Sequence, residues 1–105
     1  MQVRIVFSLR EESERSWNVW GELCLPRLPT KGDHVMVAGG LPLVEGLGFP
    51  RSLRVESILL HPAMKRGEET YTLTLEDVSV SSPQVASALC DLLERHLDFV
   101  VDGRD

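Results

Sequence analysis

Cysteine is scarce in this sequence: Cys24 and Cys90 are the only two, too few for a disulfide framework. Each lies in an apolar stretch, which predicts two buried free thiols. Aromatic residues are also few, at 6%, so the core must be built mainly from Leu and Val. Positive charge is in deficit, with 11 Lys and Arg against 16 Asp and Glu and a net charge of −5. Lys and Arg drive binding to phosphate backbones by releasing counterions, so this balance disfavours non-specific nucleic-acid binding. No apolar run approaches the roughly 18 residues that mark a membrane span. No basic stretch leads into an apolar signal segment, and a cytoplasmic location is the expectation.

Chemical signatures are missing as well. No closely paired Cys or His ligands suggest a structural zinc site. His34, His61 and His96 are dispersed, and His96 falls in an apolar stripe as a core or boundary histidine. No G-x-S-x-G elbow is present, and Gly39, Gly40, Gly46 and Gly48 fit neither a P-loop nor a dinucleotide-binding spacing. The expectation is a non-enzyme with no metal and no cofactor.

What is present is a chain able to fold. Its 105 residues fit one domain, and 43% are hydrophobic. Residues 2–10 alternate, with Val3, Ile5, Phe7 and Leu9 on one side, the pattern of a half-buried strand. A second strand is predicted over about 16–25, with Trp17, Val19 and Leu23 inward and Asn18, Trp20, Glu22 and Cys24 outward. A short third strand follows over 34–38. A fourth covers about 52–60, with a change of phase that calls for a bulge near Glu56 and Ser57. The fifth, about 69–78, alternates Tyr71, Leu73 and Leu75 with threonines.

The period then changes. Ser81 or Ser82 is a candidate N-cap, and Pro83 suits the first helical position. Apolar residues at three- and four-residue spacing predict an amphipathic helix over about 83–98, with a frayed tail over 101–105. Residues 1–100 therefore read as one β-rich α+β domain. Short connections suggest a five-stranded antiparallel sheet curled into a small SH3-like barrel, with the C-terminal helix at an end or face. The alternative is an open antiparallel sheet with the helix packed across one face.

The string KGDHVMVAGG, residues 31–40, resembles the KOW segment of transcription and ribosomal proteins. That resemblance implies a small barrel contacting RNA or protein. It covers about a quarter of the chain, and the longer loop that follows holds Leu and Val where KOW segments carry basic residues. A Gly-Asp turn entering a valine strand, common in unrelated barrels, accounts for the same string and is the preferred reading.

Two features suggest binding. Trp20 faces outward if Trp17 and Val19 face inward, and tryptophan is enriched at binding hot spots. The loop 39–50 carries Leu41, Leu43, Leu47 and Phe49, which either fold back as a plug or form an exposed apolar patch. The leading expectation is a non-catalytic interaction module that uses Trp20 and this loop to bind a protein partner or a second copy. One alternative is a nucleic-acid-binding barrel using Arg51, Arg54, Lys65 and Arg66. Another is a small-molecule-binding domain at the mouth of loop 39–50.

Overall fold

A computed structural model describes residues 1–12, 15–37, 46–61 and 70–102. Strand β1 spans Gln2–Glu11, β2 Ser16–Cys24, β3 His34–Val35, β4 Leu53–His61, β5 Thr70–Leu75, β6 Val78–Val80 and β7 Val100–Asp102. Helix α1 spans Pro83–Leu97. The strands form one open sheet in the order β3-β4-β5-β1-β2-β7, with β6 beside β1.

This corrects both expected forms of the fold. The sheet has seven strands, curls without closing, and is mixed rather than antiparallel, so it is not an SH3-like barrel. The hairpin β1–β2 is antiparallel over its whole length, from Gln2 opposite Cys24 to Arg10 opposite Ser16. That pairing occupies one edge of β1. The chain then crosses over, and the β4–β5 pair brings β5 to the other edge of β1 in parallel, with Arg4 opposite Thr72 and Val6 opposite Thr74. The expectation of antiparallel pairing assumed that every short connection was a hairpin.

The predicted fifth strand divides in two. Glu76 leaves the ladder of β5, and its N–H donates to the Arg54 carbonyl (3.0 Å). The chain rejoins β1 as β6, with Leu9 opposite Val78. An ion pair between Arg10 and Asp77 (2.7 Å) spans the break. The bulge expected in β4 is present: the β4–β5 register shifts between Val55 and Ser57, which brings Ile58 opposite the buried Leu73. Residues 101 and 102, expected to fray, pair with Val19 and Asn18 as part of β7. Residues 103–105 lie outside the described residues.

One face of the sheet is dry. Val3, Ile5, Phe7 and Leu9 of β1 are buried together with Trp17 and Val19 of β2 and Leu73 and Leu75 of β5. Helix α1 covers this face with Ala86, Leu89, Cys90 and Leu93, lying against β1, β6 and β7. Its start follows the expected chemistry. Ser82 is extended, its hydroxyl accepts from the Val85 N–H (3.2 Å), and proline stands in the first turn.

The helix ends at Asp98, whose left-handed backbone (φ 54°, ψ 30°) reverses the chain. The reversal sends Phe99 into the core and onto Gly21 of β2. A Cβ at position 21 would collide with the Phe99 ring, so this position requires glycine.

The Lys31-Gly32-Asp33 string also finds a physical account. Asp33 N–H donates to the Thr30 carbonyl (3.0 Å), closing a tight turn. Gly32 occupies its third position with φ +95°, a conformation that favours glycine. The Asp33 carboxylate accepts from the Thr30 N–H (2.9 Å) and hydroxyl (3.1 Å). These bonds, the backbone one first, hold the Asp33 carboxyl below its ordinary pKa. The turn is tied to β4: Gly32 N–H donates to the Val55 carbonyl, and Val55 N–H donates to the Asp33 carbonyl (each 2.8 Å).

Candidate functional site

Alternation along β1 and β2 leaves every second side chain on the face opposite the helix. Partners across a ladder project to the same side, so the pairing registers define rows on this outer face. One row runs Leu59, Thr72, Arg4 and Glu22, from β4 through β5 and β1 to β2. The next runs Ser57, Thr74, Val6, Trp20 and Val100, reaching β7.

Arg4 is central to two adjoining depressions. The first, of about 320 Å³, is lined by Gln2, Val3, Arg4, Glu22, His61, Thr70 and Thr72. Its volume lies at the lower end of the range typical of small-molecule sites. On its β4–β5 side, His61 Nε2 and Thr72 Oγ1 share a hydrogen bond (2.9 Å), which fixes both side chains. On its β2 side, Gln2 Nε2 donates to Glu22 Oε2. Arg4 is exposed and forms no ion pair among the described residues, although Glu22 is its cross-strand neighbour. The second depression, of about 440 Å³, shares Gln2, Arg4 and Glu22 with the first and adds Trp20, Leu97, Asp98 and Val100.

Trp20 is half-buried on this outer face, between Val6 and Val100. Its outward placement follows the alternation read from β2. The residues of the apolar loop are placed differently. Phe49 is a core residue, 4% exposed, meeting Phe7 edge-to-face with ring centroids 5.8 Å apart. Leu47 is half-buried and packs against the core. For these two residues the loop acts as a plug. Leu41 and Leu43 lie outside the described residues.

The four basic positions are not brought together as a described surface. Arg51 and Arg54 are exposed, and Arg54 lies 4.0 Å from the Glu76 carboxylate. Lys65 and Arg66 lie outside the described residues. Cys90 is buried as expected, whereas Cys24 is exposed because it falls on the outer parity of β2 at the end of the strand. His96 is exposed, and His34 is bonded to Ser52. Among the described residues, no group of three His, Cys, Asp or Glu side chains gathers to hold a metal ion. No helix among them is long and apolar enough to cross a membrane.

The sequence reading missed Arg4, Gln2, His61, Thr70 and Thr72 as a group. Two local signals existed: an arginine at an outward position of β1, and a threonine at alternate positions of β5. Their convergence depends on the parallel β1–β5 pairing. The chain matches no protein-family model, no curated protein and no solved structure.

Proposed function

We propose that this chain is a non-catalytic binding domain for a small anion, held on the outer sheet face between β1, β4 and β5. The observation that carries this reading is the setting of Arg4. Its guanidinium, without a carboxylate partner among the described residues, borders a depression whose other wall is the paired His61 and Thr72. Guanidinium presents planar, forked donors that suit carboxylate and phosphate oxygens. The Thr70 hydroxyl adds a donor that rotates to suit the ligand, and the Thr72 hydroxyl is free to donate when His61 Nε2 carries the proton of their shared bond. Glu22 lies on the opposite side of Arg4 and is engaged by Gln2, so the anion's place is beside Thr72.

No described residue of loop 39–50 lines this site. It is favoured over the interaction-module reading because Phe49, one of that reading's anchors, is occupied in the core. It is favoured over the nucleic-acid reading because Arg54 stands beside a carboxylate and the net charge is negative.

The test is an NMR titration of the intact chain with inorganic phosphate and with acetate. The expected result is a set of saturable shifts centred on Arg4, His61, Thr70 and Thr72, abolished by Arg4→Gln. Shifts that are absent, that centre elsewhere, or that persist in Arg4→Gln would overturn the assignment.

A further inference from the structure

The second depression extends the first toward an aromatic platform. Arg4 and Val6 are consecutive outward residues of β1, and Trp20 stands opposite Val6. Trp20 is therefore diagonal to Arg4 across the ladder, a relation that separates side-chain origins by roughly 7–8 Å. The two depressions are neighbours that share Gln2, Arg4 and Glu22 in their linings, and they differ in what else they offer. One offers Arg4, His61 and threonine hydroxyls. The other offers the indole of Trp20, flanked by Val6 and the exposed Val100.

Building on the anion-site reading, we propose that the ligand is a small anion carrying a planar ring, with the anionic group beside Arg4 and Thr72 and the ring against Trp20. A half-buried indole leaves part of its surface open to a ligand ring. With the anion on the Thr72 side of Arg4 and the ring on β2, the ring and the anion are joined by a spacer that crosses β1. Glu22 faces Arg4 across the ladder and is two residues from Trp20 on β2, so its carboxylate accepts a hydroxyl or amine carried on the β2 side of that spacer. The carboxylate at this position also disfavours a second anionic group, so the ligand is a monoanionic or singly phosphorylated species rather than a polyphosphate.

Two pairs of probes separate the parts of this proposal. Adenosine 5′-monophosphate is compared with ribose 5-phosphate, and 3-phenylpropionate with propionate, by calorimetry and tryptophan emission. Trp17 is buried with the Arg15 guanidinium 5.3 Å from its ring and serves as an internal reference. The expected result is that at least one ring-bearing probe binds tenfold or more tightly than its ringless counterpart and quenches emission. The pair that shows it identifies the head group as phosphate or carboxylate. Trp20→Leu then removes the advantage of the ring, Trp20→Phe retains most of it, and Arg4→Gln weakens both members of the pair. Circular dichroism melts of the variants check that each is folded. Equal affinity within both pairs, or an advantage that survives Trp20→Leu, overturns the ring site while leaving the anion site standing. Absence of binding by all four probes overturns both readings.

Discussion

The two faces of the sheet share the same strands and use them in opposite ways. On the helix side, Ile5, Leu9, Val19, Leu53, Val55 and Leu73 are fully buried, and no polar or charged residue is buried among the described residues. On the outer side, the intervening positions of the same strands carry Arg4, Ser8, Asn18, Glu22, Thr72 and Thr74, with side-chain hydrogen bonds from Ser8 to Asn18 (2.9 Å), from Gln2 to Glu22 and between His61 and Thr72. A change on the first face leaves a void or a clash that close-packed neighbours cannot absorb. A change on the second is absorbed by solvent. The division teaches that stability and the proposed anion site are separable here, because the core residues and the residues of that site alternate along one backbone.

The dry face is most sensitive at Phe7. Phe7→Ala removes a ring packed against Phe49, and a loss of about 3–5 kcal/mol is expected from denaturant unfolding. A loss under about 1 kcal/mol would mean that the dry face is not close-packed. Gly21→Ala is expected to cost about 1–3 kcal/mol, because the added methyl meets the Phe99 ring. Phe99→Ala should relieve that clash, so the double variant should lose less than the two single losses combined, as a thermodynamic cycle on thermal melts would show.

Ser82→Ala removes the N-cap bond to Val85 and is expected to lower stability by about 1 kcal/mol in the same melts. Arg4→Gln should leave stability within about 0.5 kcal/mol, the range of ordinary surface substitutions, while abolishing the phosphate response. A large stability loss from Arg4→Gln would contradict the division between the faces.

Asp33 gives the smallest effect and a defined sign. Its folded carboxyl is held below the ordinary value by Thr30, so its contribution to stability is fully present above the unfolded pKa of about 3.9. That contribution is lost as pH falls through the lowered folded pKa. Asp33→Asn should therefore reduce the stability difference between neutral and strongly acidic pH, measured by denaturation at both. An unchanged pH profile would show that the Thr30 turn does not favour the ionised form.

Local features were legible in the sequence where local chemistry decides them. Val3 to Leu9, the phase change near Ser57, the Ser82 cap with Pro83 and the outward Trp20 all follow from periodicity or backbone stereochemistry. The topology was not legible for a physical reason. The edge of β1 that receives β5 carries no residue-level mark of strand direction, since parallel and antiparallel neighbours accept the same Ile5 and Val6. The split at Glu76 and Asp77 was hidden because Val78 and Val80 suit either a continuous strand or a restarted one. The candidate site inherits this limit: Arg4 and Thr72 are distant in sequence, and only the crossover makes them neighbours. Phe49 shows the converse, since an apolar residue in a glycine-rich loop fits an exposed patch and a core plug equally well.

The parallel seam between β1 and β5 also has a consequence in time. As the chain emerges during synthesis, β1 and β2 can pair early, but the strand that completes the other side of β1 follows much later. Until then the hairpin presents an open row of amide and carbonyl groups backed by the apolar side chains of Val3, Ile5 and Phe7. Seams joining distant parts of a chain are closed slowly, because the intervening loop must be gathered first. The period between appearance of the hairpin and arrival of β5 is thus the interval of greatest exposure to aggregation, and the stage at which a chaperone would find most to hold.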